Sequence, residues 1–99
     1  MRQVIVRYRV KSDRVDENVA KVKAVYAELA ETKPAGLRYA TFVAADGVTF
    51  FHVAAIEGDT NPLAACKAFK AFQEDIRDRC DEPPAPTDLT QVGSYNFFG

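Results

Sequence analysis

The single histidine of this 99-residue chain, His52, sits inside the apolar run Phe50, Phe51, Val53, Ala54, Ala55 and Ile56. An imidazole can take or give a proton near neutral pH, hold an oxygen atom, or ligate a metal. Among apolar neighbours it is either a satisfied core side chain or the ionisable group of a cavity. Arg7 and Arg9 occupy alternate positions of a second apolar segment. Their planar donors could grip an anionic or phenolate oxygen, or they could simply be the polar alternates of a strand. Tyr39, Tyr95 and Asn96 could add hydroxyl or amide donors, and Phe50 an aromatic wall. A tyrosine can equally be an amphipathic core residue with its hydroxyl at the edge. Glu57, Asp59, Glu74, Asp75 and Asp78 show no spacing for paired-carboxylate catalysis. With Lys67, Lys70, Arg77 and Arg79 they read as a solvated helix face and a turn. No glycine loop could cradle a phosphate, and no nucleophile–base pair stands out.

These groups need a scaffold, and the length suits one domain with a single core. A hydrophobic content of 47% and a charged content of 27% are those of an ordinary globular fold. The formal net charge of -1 argues against nucleic acid, whose phosphates call for a basic excess. No run is long and apolar enough for a membrane span. The first residues alternate apolar and charged side chains, unlike a signal peptide. Cys66 and Cys80 make neither a metal spacing nor a CxxC motif. On one helix they would stand about 21 Å apart, too far for a disulfide. They read as free thiols in a reducing cytoplasm.

Residues 3–11 alternate strictly, with Val4, Val6, Tyr8 and Val10 on one side and Arg7, Arg9 and Lys11 on the other: a strand. Val15, Val19, Val22, Tyr26 and Leu29 then recur at spacings of four and three, the apolar stripe of a helix. Ser12 or Asp13 could cap its start; Pro34 and Gly36 end it. Residues 37–45 and 48–56 form a hairpin around Asp46-Gly47, a pair that tolerates positive φ. Asn61 and Pro62 open a second helix with a buried stripe of Ala65, Phe69, Phe72, Ile76 and Cys80. DEPPAPTD reads as a rigid polar linker and LTQVGSYNFF as the last strand. The order β-α-β-β-α-β specifies an α+β, ferredoxin-like protomer: a four-stranded antiparallel sheet with two helices on one face, spanning residues 1–99.

The other sheet face should then be polar. Yet both sides of the third strand are apolar: Phe51, Val53 and Ala55 on one, Val48, Phe50, His52, Ala54 and Ile56 on the other. A second copy of the chain is the economical cover, with Phe97 and Phe98 adding apolar surface. Phe51, Val53 and Ala55 make the cleaner helix-facing set. That reading sends His52 to the uncovered face together with Arg7.

This order, the apolar third strand and the segment PLAACKAFKAFQEDI resemble the antibiotic biosynthesis monooxygenase domains of the dimeric α+β barrel superfamily. The likeness covers nearly the whole chain in architecture and is concentrated in residues Ala65 to Ile76, above all FKAF. It implies a homodimer with an apolar cavity between sheet and helices, and oxidation of a small phenol- or quinol-type molecule without a cofactor. Some members degrade haem. Two histidines common on the family's second helix fall here on Leu63 and Ala68, and the chain has no tryptophan. The expected site is therefore His52 as the proton acceptor, with Arg7, Tyr39, Phe50, Tyr95 and Asn96 around the substrate. A non-catalytic dimer binding a small ligand or acting as a scaffold is the rival, and haem binding a third possibility.

Overall fold

The computed structural model describes residues 1–97. Its elements are β1 (Arg2–Val10), α1 (Val15–Thr32), β2 (Leu37–Val43), β3 (Thr49–Ile56), α2 (Lys67–Glu74), a one-turn α3 (Ile76–Arg79) and β4 (Cys80–Leu89). The strands lie in the order β2-β3-β1-β4, and each neighbouring pair is antiparallel. This is the ferredoxin-like sheet expected from the chain order. Tyr8, Val10 and Phe50 meet Val22 and Val25 of α1 and Phe72 and Ile76 beyond it, forming the buried core on one sheet face.

Two local devices hold the layers in register. Asp46 accepts the backbone N–H groups of Val48 and Thr49 at 2.9 Å each, and the Thr49 hydroxyl at 2.6 Å. These bonds hold its carboxyl down at about 2, while Gly47 takes the φ of 77° that the turn demands. The helix pair is tied by Glu28 of α1, which accepts the backbone N–H groups of Lys67 and Ala68 at 2.9 Å each. No side chain of α2's own N-terminus caps it. A carboxylate from the neighbouring helix satisfies donors that would otherwise go unpaired.

The C-terminal third departs from the sequence reading. DEPPAPTD is not a linker: it is most of β4, paired with β1 from Gln3↔Leu89 to Val10↔Cys80. Proline cannot donate to a ladder, but β4 is an edge strand, where that donor is not needed on the open side. Register shifts beside Arg9 absorb the irregularity. LTQVGSYNFF is correspondingly not a strand beyond Leu89, and its Phe98 lies outside the described residues. The second helix begins as a 3-10 turn over Pro62–Ala65, with Asn61 accepting the Leu63 N–H at 3.0 Å. Leu63 and Cys66 are buried there and Ala65 is exposed; Cys80 opens the strand rather than closing the helix. Ser12 and Asp13 form a 3-10 turn and cap nothing with their side chains. Both cysteines are buried free thiols, as expected.

Candidate functional site

Strand pairing decides which way His52 points. His52 stands opposite Val6, and Phe50 opposite Tyr8, across the β1–β3 ladder. Opposed residues share a face, so His52 projects toward the helices with Val6 and Tyr8. The sequence reading had it on the uncovered face with Arg7. That assignment is reversed: Phe51, Val53 and Ala55, paired with Arg7, Ile5 and Gln3, form the side turned away from the helices. Arg7 is exposed there and pairs with Glu82 at 3.4 Å. It cannot share a site with His52 across the sheet.

His52 is 6% exposed. Its Nε2 lies 2.7 Å from the Tyr8 hydroxyl, and its Nδ1 lies 2.5 Å from the Tyr39 hydroxyl and 3.1 Å from Thr41 Oγ1. Tyr39 and Thr41 alternate along β2 onto the same face, where Tyr26 of α1 reaches Thr41 at 2.7 Å. Behind Tyr8, Asn18 of α1 donates its amide to the tyrosine oxygen at 3.0 Å. Arg79 in turn donates Nε to Asn18 Oδ1 at 3.3 Å. Arg79 is fully buried; its other nitrogens donate to Asp75 and to the Phe72 carbonyl, and its guanidinium lies 5.2 Å from the Phe72 ring centre. The line Arg79–Asn18–Tyr8–His52–Tyr39/Thr41–Tyr26 thus crosses the core from α3 to α1.

A cavity of about 190 Å³ opens beside this line. Tyr8, Tyr39 and His52 form its polar end; Val6, Phe69, Phe72 and Ile76 are its walls, and the exposed Gln73 and half-buried Pro84 stand at its mouth. An apolar cavity of about 150 Å³ accepts a benzene ring, so this one suits a single substituted ring rather than a polycycle.

Burial sets the electrostatics. It lowers the His52 pKa to about 4, because a buried imidazolium would lose its hydration. It raises the Tyr8 and Tyr39 hydroxyls well above the ordinary phenol value. At neutral pH the site therefore holds a neutral imidazole between two neutral phenols. No described group of His, Cys, Asp and Glu side chains could hold a metal ion. Both His52 nitrogens already face hydroxyls, which leaves neither bare toward a haem iron.

Of the expected site residues, His52 and Tyr39 come together at the cavity. Phe50 is beside them in the core, stacked on Tyr8 with ring centres 5.5 Å apart, but is not in the cavity wall. Tyr95 and Asn96 are not there at all. Tyr95 is 90% exposed in the C-terminal segment, which borders the opposite sheet face near Gln3 and Val53. Missed from sequence were Tyr8 as more than a core residue, Asn18, Thr41 and Arg79, the last read as part of a solvated helix face. A signal existed: Asn18 falls within the stripe Val15, Val22, Val25 of α1, and Arg79 follows Phe72 and Ile76 at spacings of four and three. A polar residue on an apolar stripe is a buried partner awaiting its mate.

No protein-family model matches the chain, and no curated protein matches it in sequence. Solved structures do share its fold. A candidate antibiotic biosynthesis monooxygenase of Nitrosomonas europaea superposes with a TM-score of 0.75 at 17% identity, covering 94% of this chain and 100% of that one. Rv0793 of Mycobacterium tuberculosis gives 0.64 at 18%, covering 94% and 96%. An L-rhamnose mutarotase of Formosa agariphila gives 0.58 at 18%, covering 95% and 98%. The fold is thus that of the antibiotic biosynthesis monooxygenase-like proteins, on which a sugar mutarotase is also built. Function must be argued from the site.

Proposed function

We propose that this protein binds a single-ring phenol or quinol in the cavity beside His52 and supports its oxidation by dioxygen without a bound cofactor. The observation that carries the reading is the neutral Tyr8–His52–Tyr39 cluster lining a largely apolar cavity of one-ring size. The ring is held by Phe69 and Phe72 and its hydroxyl meets the tyrosine oxygens. Losing the phenolic proton makes the ring electron-rich enough to pass one electron to dioxygen. The resulting radical pair closes a C–O bond, and loss of water leaves a quinone. Overall, a phenol and one dioxygen become a quinone and one water.

His52 is in the proton-accepting form at any pH above about 5. An imidazole of that low basicity does not strip a phenol unaided, so the phenolate is held by the Tyr39 hydroxyl hydrogen as it forms. The same low basicity favours the second reading, a cavity that binds a small aromatic molecule and performs no turnover. Oxygen uptake with hydroquinone separates the two. Turnover by the wild type that falls at least tenfold in His52→Gln, with binding retained in calorimetry, supports oxidation. Binding without uptake selects the second reading, and absence of binding removes both.

The protein acts as a homodimer joined through the uncovered sheet face, in a reducing cytoplasm that keeps its buried thiols free. Ile5, Phe51 and Val53 lie on that face, and Phe42, opposite Phe51, is 52% exposed. Sedimentation at micromolar concentration is expected to give twice the 11.0 kDa chain mass. Phe42→Lys together with Phe51→Lys shifts it to monomer. A wild-type monomer contradicts the assembly.

A further inference from the structure

The hydrogen-bond line has a direction, and it starts from a permanent cation. Arg79 can only donate, so the Asn18 oxygen must face it and the Asn18 nitrogen must face Tyr8. Tyr8 therefore receives a hydrogen from Asn18, and giving its own to its other partner, Nε2 of His52, keeps that hydrogen paired, whereas accepting from both would leave it unbonded toward the cavity. On that assignment the nitrogen carries no hydrogen. A neutral imidazole carries one N–H, which leaves it on Nδ1, donating to the Tyr39 oxygen at 2.5 Å and lying 3.1 Å from Thr41. Tyr39 keeps its own hydrogen for Thr41 or for an oxygen of a ligand.

We infer that Asn18, oriented by Arg79, is a positioning residue that acts through Tyr8 to fix His52 in its Nδ1–H form and so to present the Tyr39 hydroxyl to the cavity as a donor. This deepens the functional reading above and rests on it only for its meaning in turnover. Under it, the phenol's proton is taken up on the Tyr8–Nε2 side, where the lone pair lies, while Tyr39 holds the developing oxyanion. Every described buried side-chain nitrogen and oxygen has a partner, so the whole line is hydrogen-bonded and Arg79 is its one member that can only donate.

Asn18→Asp should turn the line around. A carboxylate only accepts, so it would take the Arg79 hydrogen and the Tyr8 hydrogen together. Tyr8 would then accept from His52, moving the imidazole proton to Nε2 and making Tyr39 the donor to Nδ1. The change is isosteric and sets a carboxylate beside a buried guanidinium, which favours folding.

His52 is the only histidine, so its two ring nitrogens can be read without ambiguity by long-range proton–nitrogen correlation on the 15N-labelled protein with no ligand present. Nδ1 protonated and Nε2 bare in the wild type, with the two exchanged in Asn18→Asp, is the expected result. Nε2 protonated in the wild type overturns the inference even if the variant does not fold. An unchanged tautomer in folded Asn18→Asp also overturns it. The spectrum needs no substrate, so absent oxygen uptake with the expected tautomer would defeat the oxidation reading and leave this one standing.

Discussion

Replacing Arg79 with alanine is expected to cost about 3–5 kcal/mol of unfolding free energy, the scale for breaking a buried charge network by removing one member. The guanidinium has no exposed surface and serves three acceptors: Asn18, Asp75 and the Phe72 carbonyl. Deleting it leaves the Asn18 oxygen and that carbonyl unpaired inside the core and opens a void under Phe72. Asp75 suffers less, since it is 41% exposed and keeps Lys21 at 3.8 Å. Arg79→Met separates the contributions: it restores most of the volume and none of the donors. Urea unfolding should place methionine close to alanine, because the unpaired acceptors dominate. A loss under about 1 kcal/mol for Arg79→Ala would show that the line across the core is not what holds α3 against α1. In a chain of this size, whose whole stability is on the order of 5–15 kcal/mol, the expected loss leaves a marginal fold.

Acid will weaken the protein through His52, by about 3 kcal/mol between pH 6.5 and 4. In the unfolded chain the imidazole takes its proton near 6.5; in the folded protein burial holds it off until about 4. Between those values the unfolded state binds more protons, so stability falls as pH falls, by ~1.4 kcal/mol per unit. Above 6.5 the two states carry the same charge at this position and the contribution is constant; below 4 both are protonated and it stops changing. Carboxylates titrate in part of the same window, so the measurement is a difference. Unfolding free energies of the wild type and His52→Gln, followed from pH 7.5 to 3.5, should converge or cross by about 3 kcal/mol over that interval. A constant difference would mean that His52 protonates as readily folded as unfolded, and that it is not the buried neutral group described here.

The sheet, the first helix and the hairpin were legible because periodicity reports them directly: period two in residues 3–11, spacings of three and four from Val15 to Leu29, and Asp46-Gly47 between two apolar runs. The last strand was not. Three prolines in residues 80–89 read as a break unless the segment lies at a sheet edge, and edge position is a property of the assembled sheet. The direction of His52 failed for a related reason. Both sides of β3 are apolar, so composition could not choose between them. The choice lies in the pairing of Val6 with His52, and a shift of one residue would have reversed it. With that reversal Arg7 left the site. Asn18 and Arg79 were obscured by their own chemistry, because a lone polar residue in a helix reads as solvated until its partner, 61 positions away, is placed beside it.

The most direct test is to add hydroquinone to the 15N-labelled protein under anaerobic conditions and follow the ring signals of His52. The cavity account predicts saturable shifts at both His52 nitrogens, with a matching change at the Tyr39 and Phe72 backbone amides, and weakening of the same binding in Tyr39→Phe. Shifts confined to the segment around Tyr95, with His52 unmoved up to millimolar ligand, would contradict it.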